Sequence, residues 1–396
     1  MNIAVIEMDT HTECLYSFCK AFASSEHKLN IFVKERIYRE LQSESFVRRF
    51  RWTVRPKQQS TRSFLRRNWE AIQQNDIIFI KTIDKSFGAY SGLDGKTPVV
   101  LRIHNLNSWF ERRGHIQFRW TPYFIYKDLS YLIRVAWLGR DWYHIRRIVD
   151  NVDYLTFPSA TIRQQALERA LVEADKVGPV IPLAVHDPAF LKAPGDSITI
   201  SVPGAIDERR RDYPMLTGLF QKLVPQLKKP LHLIYLGEPR GSFGRQTVAR
   251  MQSLQHANFR FTSFDRRIPQ ADFNRYMQET DLLLSPLIVN TRYKIYRETY
   301  GYTKIAALES DVIRYGKPAI LPAAYPISGP LRDLVSQYSS PEHLARILSE
   351  AVNGAQLHPM MQKTPQIMQQ YVPQTVRKSI IAFFDRIIRE AKAGSA

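Results

Sequence analysis

The segment from Ile305 to Pro322 constrains the fold of this chain more than any other. Residues 305–315 predict a helix, Gly316-Lys317-Pro318 closes it, and Ala319-Ile320-Leu321-Pro322 continues as a short apolar strand. A glycine just past a helix adopts the left-handed conformation without steric cost, and the proline two residues on blocks further helix. A helix delivered straight into a buried strand is the repeating step of an α/β sheet. The amino terminus carries the same grammar. Residues 3–8 predict an apolar strand, 13–23 a helix and 28–33 a second strand, the β–α–β opening of a doubly wound domain.

In such a sheet the carboxyl ends of the strands face the ligand crevice. The loop after the first strand, Asp9-Thr10-His11-Thr12-Glu13, has none of the glycines of a dinucleotide fingerprint, which argues against a nicotinamide cofactor. It offers Asp9, His11 and Glu13 for work on a substrate. His104 and Asn105 follow another apolar run, 98–103, in the same way.

Length and composition set the frame. With 396 residues, 44% apolar and 23% charged, two globular domains are expected. No apolar run approaches the ~18–20 residues of a spanning helix. No basic segment followed by an apolar one opens the chain, and the two cysteines, Cys14 and Cys19, share one predicted helix. A cytoplasmic protein is the expectation. The formal charge is +19, and the stretch from Arg36 to Arg147 alone holds 22 Lys/Arg against 9 Asp/Glu. That field suits a phosphate-rich partner, either nucleic acid or an anionic lipid face. Neither zinc-ligand spacing nor an RNA-recognition or helix-turn-helix signature is present, so nucleic acid is not expected.

Several landmarks, in order, resemble GT-B glycosyltransferases. The helix ending in Gly316-Lys317-Pro318 resembles the nucleotide-sugar half of that family. Val180-Ile181-Pro182-Leu183-Ala184-Val185-His186 resembles the crossing between its two Rossmann-like domains. Ile198–Ile206 with Arg209-Arg210-Arg211 resembles the strand and basic loop that open the second domain. Leu231–Gly237 and Tyr276–Pro286 resemble its later strands. The resemblance implies two doubly wound α/β domains facing a cleft. Residues 1–190 would form the acceptor side and 191–372 the donor side, with 373–396 a helix crossing back to the first domain.

The same resemblance implies a nucleotide-diphosphate sugar as donor substrate. The turn at Gly204 with Arg209 and Arg210 would clamp its diphosphate, helped by Lys304. Ala205 stands where relatives carry arginine, so the usual pair is incomplete. Retaining members carry two glutamates eight residues apart, and here the matching positions are Thr303 and Asp311. An insertion around residues 292–302 could displace one glutamate. Glu309 and Asp311 are candidates for the ribose or sugar hydroxyls, and the stereochemical outcome stays open. An inverting reaction needs a base, for which Glu13, His11 and Asp9 are candidates. A retaining one needs none, and His104 would then orient the sugar. No close Asp-x-Asp pair calls for a metal, and no cofactor is expected.

Residues 109–149 interleave aromatic residues with arginines. A helix from about Tyr123 places Leu129, Leu132, Ile133, Ala136 and Trp137 on one stripe, which fits either a core-facing helix or one lying in a membrane interface. The basic stretch 48–67, with Phe50, Trp52, Phe64 and Trp69 close by, adds to the second reading. The expectation is a transferase peripherally bound to the inner membrane face, moving a sugar to a saccharide acceptor, lipid-linked, in envelope or exopolysaccharide assembly. The alternatives are a nucleotide-sugar epimerase or hydrolase on the same fold, or a basic nucleic-acid-binding protein.

Overall fold

The computed structural model describes residues 1–92, 95–120, 122–192, 195, 197–327, 329–352 and 357–393. The first sheet comprises seven strands: β1 (Asn2–Glu7), β2 (Lys28–Lys34), β3 (Arg51–Arg55), β4 (Ile77–Thr82), β5 (Val99–Arg102), β6 (Tyr154–Phe157) and β7 (Val177–Val180). They run parallel in the order β3-β2-β1-β4-β5-β6-β7. Central strands buried on both faces read as continuous apolar runs, and β4 carries Ile77-Ile78-Phe79-Ile80 with all four side chains out of solvent. The order reverses between β1 and β4, where doubly wound sheets open their crevice.

The second sheet has the same form. Its strands are β8 (Ile198–Pro203), β9 (Leu231–Leu236), β10 (Phe259–Thr262), β11 (Leu282–Leu284), β14 (Ala319–Pro322) and β15 (Val335–Tyr338), with an antiparallel hairpin, β12 (Asn290–Tyr293) and β13 (Tyr296–Thr299), inserted after β11. The sheet order is β10-β9-β8-β11-β14-β15, all parallel. Each sheet is covered by apolar clusters on both faces. The helix before β14 spans Ala307–Tyr315 and ends on Gly316 at φ 59°, the left-handed closure its glycine permits.

The last helix, Pro373–Ala393, belongs to the first sheet's core. Phe384 meets Phe79 at 5.8 Å between ring centres, and Val376, Ile380, Phe383 and Ile387 are buried beside the first helix, Thr12–Phe22. Both cysteines are reduced and buried on that first helix. Of the linker 187–196, residues 193, 194 and 196 lie outside the described residues.

The aromatic–arginine region resolves in two directions. Phe50 and Phe64 are buried in the core, so the stretch 48–67 does not present them outward. The helix Pro122–Leu132, prolonged by a π-helical turn Ile133–Leu138, does the opposite. It buries Asp128 and exposes Tyr126, Leu129, Ile133 and Leu138, so its apolar stripe is not core-facing. The side chains of Ala136 and Trp137 in that stripe lie outside the described residues.

Candidate active site

At the carboxyl ends of β1, β4 and β5, four ionisable side chains converge. His11 Nε2 stands 3.5 Å from Asp84 Oδ2, and the His11 ring stacks on His104 with centres 4.7 Å apart. His104 is buried beneath it, its Nε2 3.2 Å from both Thr82 Oγ1 and the Lys81 carbonyl. The Asp84 backbone N–H donates to Asp9 Oδ2 at 2.7 Å. Asp84 thus ties the loop after β1 to the loop after β4 across the reversal in strand order.

Their protonation states differ because their surroundings differ. Burial alone would lower His11, but the hydrogen bond and charge of Asp84, with Cys14 close by, hold it well above the usual histidine value. Burial, then the neighbouring His11 and Arg102 charges, push His104 well below that value. The stack therefore pairs an imidazolium with a neutral imidazole. Burial likewise opposes ionisation of Asp84, but His11 above all outweighs it and the carboxyl sits far below its ordinary range. Asp9 goes the other way, raised to about 7 by burial and by Asp84.

The second sheet meets this cluster from across the cleft. The helix Ala307–Tyr315 carries Asp311, raised to about 8 by burial and by the facing carboxylate of Glu13. Arg314, on the same helix, lies over the Tyr16 ring of the first helix at 4.3 Å. Residues two apart on a helix point to opposite sides, and Glu309 accordingly turns away, accepting a hydrogen bond from the buried Tyr325 hydroxyl at 2.8 Å. Glu309 and Asp311 do not share a ligand. Lys304 donates to Asn105 Oδ1 at 2.8 Å, its amine lowered to about 8 by burial despite Glu298 and Asp84 nearby.

After β8, Gly204 turns at φ 102°, and a Cβ there would strike the Arg211 guanidinium at 2.6 Å. Gly237, after β9, packs so closely that its own Cβ would meet the Gly204 carbonyl at 2.1 Å. Close approach of two backbones at strand ends is where only glycine fits. The three arginines divide. Arg211 is buried beneath the turn, Arg209 pairs with Asp207 at 3.3 Å, and Arg209 and Arg210 line a cavity of roughly 1060 Å³. That volume is at the upper end of small-molecule sites.

The hairpin β12–β13 closes the cleft. It spans Asn290–Thr299, overlapping the stretch 292–302 where an insertion could have displaced a glutamate. Arg292 grips Asp128 of the first domain at 2.9 and 3.0 Å, and the Trp142 indole donates to the Tyr296 hydroxyl at 3.2 Å. Glu298 is buried and accepts from the Ser108 N–H at 2.9 Å, at the start of the short helix Leu106–Phe110. The turn reaches the ionisable cluster itself. Tyr293 hydrogen-bonds the Asp84 side chain, and the Lys294 amine donates to the Asp84 carbonyl.

Among the residues singled out from sequence, His11, His104 and Asp9 lie together, Glu13 faces Asp311, and Lys304 stands at the junction with Arg210. Asp84, Arg211, Tyr293 and Lys294 were not singled out. Asp84 follows an apolar strand as His104 does, and that placement is a signal for it. Arg211 is indistinguishable in sequence from its two neighbours, and the hairpin's reach is a property of the assembled domains.

Two parallel doubly wound sheets facing one cleft, with a last helix returned to the first, define a GT-B fold. No family model matches the chain, and no curated protein is detectably similar in sequence. Solved structures are similar in fold. The Anabaena protein HepE in complex with UDP-glucose has a TM-score of 0.63 at 11% identity, with 98% of this chain and 100% of that one covered. The UDP-GlcNAc 2-epimerase of Neisseria meningitidis bound to UDP-GlcNAc has a TM-score of 0.54 at 11% identity, covering 98% and 100%. A structure of OtsA without ligand has a TM-score of 0.57 at 10% identity, covering 97% and 98%.

Proposed function

We propose that this chain is a glycosyltransferase that moves a sugar from a nucleoside-diphosphate sugar to a saccharide acceptor. The observation that carries the reading is the His11–Asp84 pair at the strand ends, with Lys304 of the other domain close to Asp84 and Glu13 of the same loop close to Asp311. That arrangement supports a UDP-type donor seated mainly on the second domain, as do the UDP-sugars bound in the HepE and epimerase structures. Asp311 holds the ribose, while Arg210, Lys304 and the backbone at Gly204 take the diphosphate. Arg209, already paired with Asp207, contributes field rather than contact.

The acceptor hydroxyl oxygen bonds to the anomeric carbon as the bond from that carbon to the diphosphate oxygen breaks. The bonding pair leaves with the nucleoside diphosphate, whose charge the cations meet, so no metal is invoked. The acceptor proton passes to the His11 imidazole in its neutral form. Asp84 stabilises the imidazolium produced, and His104 holds the ring from below. His11 is preferred to Asp9 and Glu13 on geometry. Its side chain is 33% exposed and paired with Asp84, whereas Asp9 is buried and Glu13 interacts by charge with Asp311.

The acceptor is lipid-linked in this reading and the protein binds the inner membrane face peripherally. Six of the eight large apolar side chains exposed among the described residues fall between Trp120 and Tyr143. Aromatic and aliphatic anchors bordered by arginines suit the interface. No helix among the described residues is long and apolar enough to cross a membrane.

The test is to follow UDP release and sugar transfer from UDP-sugars with membrane-extracted glycolipids as acceptors. A transferase releases UDP in proportion to acceptor glycosylated. Conversion of the donor sugar to its epimer, with UDP still attached, would instead establish the epimerase alternative.

A further inference from the structure

The cavity of roughly 1060 Å³ between the domains is lined by Arg210, assigned above to the donor diphosphate, and by Arg209, but by none of His11, Asp84, His104 or Asp9. Five arginines line it, Arg119, Arg209, Arg210, Arg292 and Arg297, against two carboxylates, Glu208 and Glu298. Glu298 is spent on the backbone N–H of Ser108. Arg292 and Arg297 stand directly opposite each other across the hairpin, and Arg292 is already paired with Asp128 as Arg209 is with Asp207. Burial, Arg292 and Arg209 all lower the Arg119 guanidinium, so the cations in this wall repel one another. Guanidinium groups gathered in a concave wall bind phosphate through paired N–H donors.

What distinguishes this cavity from a general basic surface is its mouth. Trp120 lines it and is 84% exposed. The helix carrying the outward apolar stripe begins two residues later. Its buried Asp128 is bonded to two cavity residues at once, accepting from Arg292 and from the Arg119 backbone N–H at 3.1 Å. The stripe, with Tyr126 76% and Leu138 75% exposed, is therefore carried on a helix tied to the cavity through Asp128. An anion-binding pocket whose rim is an apolar strip fits an amphiphile with a phosphorylated head.

We propose that this cavity receives the phosphate-bearing head group of a lipid-linked acceptor, with the lipid tail leaving past Trp120 along the exposed strip. This rests on the transferase reading and names its acceptor. Lys304 feels the charges of both Asp84 and Arg210 and does not line the cavity, so the donor diphosphate and the acceptor head group would share only Arg210. Basic pockets beside interfacial helices select phosphorylated lipid heads by this combination of charge and apolar contact.

The experiment titrates the full chain with farnesyl diphosphate, below its aggregation threshold, at about 150 mM salt as physiological screening requires. Saturating UDP occupies the donor site, and thermal stabilisation by UDP alone is measured first. Absence of that stabilisation would count against the donor reading without touching the cavity. Inorganic pyrophosphate, farnesol and a hexuronic acid tetrasaccharide are the comparison probes. Farnesyl diphosphate is expected to bind at least about tenfold tighter than each of the three, a difference of ~1.4 kcal/mol. The Arg119→Gln/Arg297→Gln variant loses about tenfold for both diphosphates, and Tyr126→Ser/Leu138→Ser loses it for farnesyl diphosphate alone. Should the double arginine variant fold poorly, the single Arg297→Glu variant replaces it, with the same loss expected for both diphosphates. Equal affinity for the two diphosphates, unchanged binding in the arginine variants, or tighter binding of the acidic tetrasaccharide would overturn the proposal.

Discussion

Four ionisable side chains within one loop cluster carry different charges at neutral pH, and the difference follows from what each one touches. His11 is held protonated by Asp84, so a reaction that needs it neutral accelerates as pH rises through its elevated pKa. Asp84→Asn removes that support. The account expects the rising limb of the kcat/KM profile to move to lower pH while the plateau falls by about 10²–10⁴-fold. A variant with full plateau activity would remove His11 from the role of base. The raised groups also govern stability. Asp9 near 7 and Asp311 near 8 release protons later in the folded state than in the unfolded one, and His11 retains its proton longer. At these three groups the folded state binds more protons from about pH 4 upward, so their contribution to stability falls as pH rises, while the lowered His104 and Lys304 contribute in the opposite sense. Asp84, depressed, supplies stability that disappears only in strong acid. Thermal unfolding of the wild type and Asp311→Asn compared from about pH 4 to 9 isolates one such group, and the wild type should lose stability relative to the variant as pH rises from about 4 to 8. Parallel Tm profiles for the two proteins would contradict the assignment of Asp311.

At the level of elements, the hairpin β12–β13 is the piece that turns two domains into one site. It inserts its turn against Asp84, lays Glu298 on the helix Leu106–Phe110, and locks Asp128 with Arg292. Asp128 is buried and Arg292 half-buried, so Arg292→Ala strands a carboxylate and is expected to cost about 3 kcal/mol in denaturant unfolding. A loss below ~1 kcal/mol would mean the hairpin is not held this way. The strands β1, β2, β5, β8, β9, β11 and β14 were legible because apolar runs, capping residues and Gly316-Lys317-Pro318 are local signals, whereas β3, β10 and β15 were not read. Ser159, for example, accepts from the Ile162 N–H as an N-cap of the helix Ala160–Glu168. The hairpin was legible only as an insertion. Its residues Asn290-Thr291-Arg292-Tyr293 and Tyr296-Arg297-Glu298-Thr299 bury their contacts in the other domain, and no local periodicity encodes a partner 164 or 210 residues away. The same limit explains Phe50 and Phe64. Aromatic residues beside arginines read alike whether they turn inward or outward, and only the packed sheet separates them from Tyr126 and Leu138.

For the whole molecule, the charge of +19 becomes intelligible as architecture rather than composition. The cations gather around an interdomain cavity and beside an exposed apolar strip, while the opposed carboxylates Glu13 and Asp311 meet across the cleft. Doubly wound sheets facing each other place every strand's carboxyl end at one seam, so a donor on one domain and a nucleophile on the other share a single small volume. The central claim is that this seam binds a nucleoside diphosphate. Binding to the native state raises its apparent stability by mass action, by about 2.7 kcal/mol at a hundredfold excess over Kd. The most direct measurement is thermal unfolding with UDP, GDP, TDP, CMP and UMP, on the wild-type chain and on Arg210→Ala. The account predicts a rise in Tm with UDP that exceeds the rise with UMP and shrinks in the variant. A folded protein whose Tm moves with none of the five nucleotides would contradict it.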